Sequence, residues 1–211
     1  MPYRQEKNKD GEMKQLHRKD LFGWSEFNNE RNLDFHSVLW VREGGNVVID
    51  PLPLSEHDHG HLQSLGGVSI IVITNSDHCR GAEQLAADTG ARIFGPAEEE
   101  DTFPLECDRW LFDLDEIVPG LIAYRLDGSK TPGELALLLE KETLITGDLI
   151  RCHMGGELCI LPDNKLSDPI KAVHSVKRLA ALPGIKAVLT GDGWPLFNHG
   201  AEALHRLARS L

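Results

Sequence analysis

Nowhere does this 211-residue sequence run apolar for the ~18–20 residues that a bilayer-spanning helix needs, and its opening, MPYRQEKNKDGEMKQ, has no apolar core of the kind that directs secretion. The expectation is a cytoplasmic protein with no membrane partner. Basic side chains are in deficit: 22 Lys and Arg face 33 Asp and Glu, a net charge of -11 that repels nucleic-acid phosphates and anionic lipid. Nucleic acid is excluded as a partner on that ground. Cysteine is scarce as well. Cys79, Cys107, Cys152 and Cys159 form no C-x-x-C pair, which excludes a disulfide framework and a thiolate zinc knuckle and leaves free thiols suited to a reducing compartment. There is no G-x-S-x-G elbow for a serine nucleophile and no repeat of solenoid type.

What remains reads as one domain. Residues 1–19 are dense in charge without sustained apolar periodicity and are expected to form a loose arm, with order beginning near Leu21 and a single domain over residues 20–211. HSVLWVREGGNVVIDP predicts a hairpin around Gly44-Gly45 whose second strand ends at Asp50. Ser55–Leu65 predicts a short helix closed by Gly66-Gly67, and VSIIVIT a buried strand. A helix follows from about Arg80 to Gly90, then the strand ARIFGP. Further on, ELALLLE and TLITG flank the turn Glu140-Lys141-Glu142 as a second hairpin. Pro169–Leu182 has helical spacing, IKAVLTGDG is a buried strand, and Ala201–Leu211 is a closing helix. Runs of strands with helices interspersed predict stacked sheets covered by helices.

Four apolar runs end in polar groups: Asp50, the Asp77-His78 pair, Asp148 and Asp192. Aspartate suits turns and helix caps for local hydrogen-bonding reasons, which accounts for any one of them. Strand ends that point the same way, however, gather their terminal side chains at one sheet edge, where sites are commonly built.

Taken in order, these motifs resemble the metallo-β-lactamase-like superfamily, the fold of glyoxalase II and many other hydrolases. DHCRGA is similar to its D-H-x-G-G-A segment, SKTPGELAL to its H-T-P-G segment, LITGDLI to its T-G-D, and VLTGDGWP to its P-G-H-G, across roughly Val38–Pro195. The resemblance implies an α/β fold, a four-layer αββα sandwich of two mixed sheets flanked by helices. It also implies a site for two metal ions, and there the sequence departs from the pattern. Ile73, Asn75 and Lys130 stand where the first ion's histidines would be; an alkyl group, an amide and an ammonium are poor or impossible ligands, so a dinuclear site is not expected. Anchoring on Thr74 instead would make Asn75 and Asp77 the H-x-H pair at the cost of the D-H-x-G-G-A match. At the second position Asp77, His78 and Asp148 match, and Asp192 replaces a histidine. This oxygen-rich set would suit one divalent ion, Mn or Fe(II), with Zn also open.

Two functions follow as expectations. In the first, one ion on Asp77, His78, Asp148 and Asp192 activates water against an ester, thioester or phosphoester, with Lys130 or Arg80 stabilising the developing oxyanion. The alternative is a metal-free, non-catalytic member that binds a small anionic ligand or a protein partner through Lys130, Arg80 and Arg151. A third role open to Lys130 is a salt bridge that only neutralises carboxylates left by an ancestral site. Either way the expected partner is a small, anionic molecule. His57, His59 and His61 in EHDHGH imitate a metal motif but fall on a surface helix, where His57 and His61 share a face. His199 is read as a neighbour of a helix N-cap, and His36 faces either the core or the site. Cys79 stands at a helix start that favours thiolate, yet no base accompanies it.

Overall fold

A computed structural model describes residues 13–211. Among these residues, one seven-stranded sheet is built in chain order from β1 (Lys14–Gln15), β2 (Leu21–Asn28), β3 (Leu33–Trp40), β4 (Val47–Ile49), β5 (Ile70–Val72), β6 (Arg92–Pro96) and β7 (Arg109–Leu111). Pairing is antiparallel as far as β4 and parallel from β4 to β7. A second sheet contains β8 (Glu116–Val118), β9 (Leu121–Arg125), β10 (Leu135–Leu139) and β11 (Thr143–Thr146). The hairpin of β12 (Ile150–Met154) and β13 (Glu157–Ile160) stands apart, and β14 (Ala187–Thr190) returns to pair parallel with β11. Helices α1 (Glu56–Ser64) and α2 (Ala82–Thr89) cover the first sheet; α3 (Pro169–Ala180) and α4 (Gly200–Ser210) cover the second.

The alternation of side chains along each strand explains the layers. Val38 and Trp40 of β3 point inward to meet Leu137 and Leu139 of β10 in the core between the sheets, while Leu39 points outward to join Leu62 of α1 and Leu85 of α2. On the far side, Leu138 and Leu144 pack under Val176 and Leu179 of α3 and Leu204 of α4. The arrangement is the four-layer αββα sandwich read from the motifs. No helix among the described residues is long and apolar enough to cross a membrane.

Several boundaries differ from the reading of the sequence. Of the expected loose arm, residues 1–12 lie outside the described residues, but residues 13–19 are packed. Met13 is buried, β1 pairs with β2 through Lys14 and Gln15, and His17 Nε2 lies 2.9 Å from Thr143 Oγ1. Arg18 bonds Asp20 and reaches the β10–β11 turn, 2.5 Å from Glu140 and 3.1 Å from Glu142. Helix α2 begins at Ala82 rather than Arg80, because Arg80 has a positive φ of 33° that no helix accommodates. The β2–β3 and β12–β13 hairpins were not anticipated as hairpins. Their half-exposed strands mix polar and apolar residues and lack the strong alternation seen elsewhere.

The parallel pairs decide where the site lies. β4 runs beside β5, and β11 beside β14, so each pair ends at the same edge of its sheet. Cross-links bring the two edges together: Leu135 N–H donates to the Thr74 carbonyl (2.8 Å), His36 N–H to Gly191 (3.0 Å), and Gly193 N–H to Asp34 (2.9 Å).

Candidate active site

At the end of β4 the backbone of Asp50 turns left-handed, with φ 47°, a conformation that aspartate and asparagine enter more readily than most residues other than glycine. The buried carboxylate thereby accepts the Thr74 N–H (2.7 Å) and the Thr74 hydroxyl (2.6 Å), and it takes His78 Nδ1 at 2.8 Å. The other ring nitrogen, Nε2, lies 3.5 Å from Asp148 Oδ1. His78 is thus clamped between two carboxylates. Burial works against its charge, but the fields and hydrogen bonds of Asp50 and Asp148 outweigh burial and raise it to about 9. The ring is an imidazolium at neutral pH. In return Asp148, which burial would raise, is held down at about 2 by His78, Arg151 and Lys130, so it stays a carboxylate.

The other expected site residues are each matched by a cation. Lys130 ion-pairs with Asp77 at the half-exposed mouth. Arg151, expected from the sequence to help bind an anion, is buried and grips Asp192: Nε lies 3.1 and 3.0 Å from its two oxygens and Nη2 lies 2.7 Å from one of them. His153 Nε2 adds a contact to Asp192 at 3.4 Å. The Arg80 guanidinium stacks on the Phe35 ring, 5.1 Å from its centre, and donates to the His36 carbonyl (3.1 Å). Asp77, His78, Arg80, Lys130 and Asp148 border one open cavity of about 470 Å³, walled on its apolar side by Phe35 and Leu52.

Reading the sequence missed Glu134. This carboxyl is fully buried at the start of β10 and accepts the Leu149 N–H (2.8 Å) and the Ser129 hydroxyl. Burial, then the charge of Asp148, raises it to about 8. It braces Ser129, the neighbour of Lys130, to Leu149, the neighbour of Asp148. The signal available was one acidic residue opening an otherwise apolar run. Two glycines allow the close packing. A Cβ on Gly147 would lie 2.8 Å from Thr74 Oγ1, and one on Gly191 2.9 Å from His78 Cε1.

The donor groups around the cavity are poorly disposed to hold a resident metal. Ile73 is buried in the outer core, and the Asn75 side chain accepts the Asp77 N–H (3.0 Å) as the cap of the 3-10 turn Ser76–His78. Its amide nitrogen is buried without a hydrogen-bond partner among the described residues. Among the described residues no three or more His, Cys, Asp or Glu side chains are placed to share an ion. Of the four ligands expected from the sequence, His78 and Asp148 meet, whereas Asp77 is taken by Lys130 and Asp192 by Arg151. This set does not fit a bound divalent ion.

The remaining candidates fall into place. His57, His59 and His61 lie on α1, where His59 faces Asp88 at 3.6 Å and His61 packs edge-on against Phe22. His199 occupies the N-cap of α4 itself, exposed beside Glu202. The His36 ring reaches the Gly193 carbonyl at 2.5 Å. Burial and the surrounding carboxylates push the Cys79 thiol up to about 12, which removes it as a nucleophile.

A family model described as the metallo-beta-lactamase superfamily matches residues 13–211. The chain belongs to the metallo-beta-lactamase superfamily. Among curated proteins of the superfamily's kind, a hydroxyacylglutathione hydrolase of Brucella anthropi is 34% identical over 120 residues, 54% of this chain. The match spans only 43% of that relative's length. Solved structures share the fold at low identity. A metallo-beta-lactamase from Pontibacter korlensis superposes with a TM-score of 0.73 at 16% identity, covering 95% of this chain and 99% of the other. One from Erythrobacter litoralis superposes with a TM-score of 0.69 at 14% identity, covering 94% and 92%.

Proposed function

We propose that this superfamily member is a hydrolase in which protein cations stand in for metal ions, acting on a small ester or thioester that carries an anionic group. The observation that carries the reading is the Lys130 ammonium on Asp77 at the mouth of the cavity, with the His78 imidazolium and Arg80 beside it. Three positive groups facing one cavity supply what an oxyanion needs. Asp148 remains ionised, so it is available to orient a water and accept its proton, and its low basicity implies modest turnover. The name of the relative, a hydroxyacylglutathione hydrolase, supports the hydrolase class.

A second reading, a non-catalytic member that binds a small anion, is favoured by one observation: both ring nitrogens of His78 are committed to carboxylates, so this ring cannot act as a base. One experiment separates the readings. Chelator-treated protein is assayed on p-nitrophenyl esters and acyl thioesters, alongside Lys130→Met. Under the hydrolase reading, activity survives the chelator and falls roughly 10²-fold in Lys130→Met. Activity that vanishes with chelator and returns with one equivalent of Zn, Mn or Fe(II) refutes it. No turnover on any substrate, together with Lys130-dependent stabilisation by phosphate, supports the anion binder.

A further inference from the structure

Beside the active-site cavity lies a second one of about 590 Å³, walled by Leu16, Trp24, Val38, Leu54, Leu189 and Phe197. Its size is that of a small-molecule site. The two cavities meet at Glu26 and Pro53, which line both. His36 links them as well: it lines the second cavity, while its carbonyl accepts Arg80, which borders the first. The opening follows β2, which β1 covers only at Phe22 and Gly23, so Trp24, Ser25 and Glu26 form its rim. Two buried side chains in the wall, Asp58 and Thr190, each keep one oxygen without a hydrogen-bond partner among the described residues. Apart from these two atoms, most of the lining surface is apolar, as an alkyl chain requires.

We infer that this cavity receives the aliphatic acyl portion of the substrate, with the reacting carbonyl lying among Lys130, Arg80 and Asp148. The substrate class is then an ester or thioester of a medium-length fatty acid. The inference rests on the hydrolase reading for its substrate, but its test does not depend on turnover.

The full chain is titrated by calorimetry with neutral straight-chain alcohols from butanol to decanol. Each added methylene tightens binding about fourfold until the cavity is filled. Ser25→Trp, an exposed rim position, removes the gain for the longer alcohols, and Phe197→Ala weakens them about tenfold; thermal melts check that both variants fold. Affinity that does not rise with chain length, or a rise that both variants leave intact, overturns the assignment. Hydrolysis of p-nitrophenyl esters of the same chain lengths keeps the two readings apart. Graded alcohol binding without hydrolysis retains the cavity and removes the hydrolase. Hydrolysis without graded binding does the reverse.

Discussion

Replacing Arg151 by methionine tests the electrostatic account of the site most directly. The guanidinium and Asp192 are both nearly inaccessible, with side-chain exposures of 7% and 3%, and their contacts run from 2.7 to 3.1 Å. Methionine fills much of the same space but strips the buried carboxylate of the cation that grips it, leaving His153 Nε2 at 3.4 Å. Removing one partner of a buried pair costs about 3–5 kcal/mol, because the remaining charge stays desolvated. For a domain of this size that is roughly 6–20 °C in melting temperature. Adding Asp192→Asn removes the stranded charge, so the double variant should recover at least half of the loss. Urea unfolding of the wild type, both single variants and the double variant gives the full cycle. A loss below about 1 kcal/mol in Arg151→Met, or a double variant no more stable than the single, refutes the view that Asp192 is held by arginine.

Three further outcomes are expected. Lys130→Met should change stability by less than about 1 kcal/mol, since the Lys130–Asp77 pair is half exposed, while hydrolysis or anion binding collapses; comparable losses in both would contradict its role. Above pH 6.5, where the lowered His17 and His36 no longer oppose it, the protein should lose stability as pH rises. His78 and Glu134 are both raised in the fold, from 6.5 to about 9 and from 4.5 to about 8, so their contributions are complete below the lower values and lost as pH climbs through the upper ones. Melting temperatures from pH 4 to 9.5 check this, and Glu134→Gln should flatten the part between about 4.5 and 8. Chelator should leave the melting temperature unchanged, because the cations on Asp77 and Asp192 already occupy those carboxylates; a fall reversed by added Zn or Mn would refute that.

Much of the scaffold was legible because it is written locally. The runs that became β5, β11 and β14 are apolar and buried, and the glycines at 90 and 184 take up left-handed turns close to where the helical pattern stops. The motif order placed Asp50, His78, Asp148 and Asp192 at one edge. Their partners were not legible. Arg151 lies 41 residues from Asp192 in sequence, and Lys130 lies 53 from Asp77, so the pairings exist only once β12 docks beside the loop after β14 and the 129–133 loop folds back. A ligand set and a set of neutralised carboxylates look alike on paper; what separates them is whether a cation arrives first. Glu134 escaped notice because its neighbours made it look like the polar end of a strand, when burial and the Leu149 amide make it a brace.

The segment Leu16–Asp20 has a practical consequence. Arg18 and His17 stitch the first sheet's edge to the β10–β11 turn of the second, like a buckle across the open end of the sandwich. Anyone trimming the gene to a minimal domain at Leu21, as its charge pattern invites, would cut that buckle. The shortened product would also lose Met13 and Leu16, which pack against the two cores of the first sheet, and should melt below the full chain.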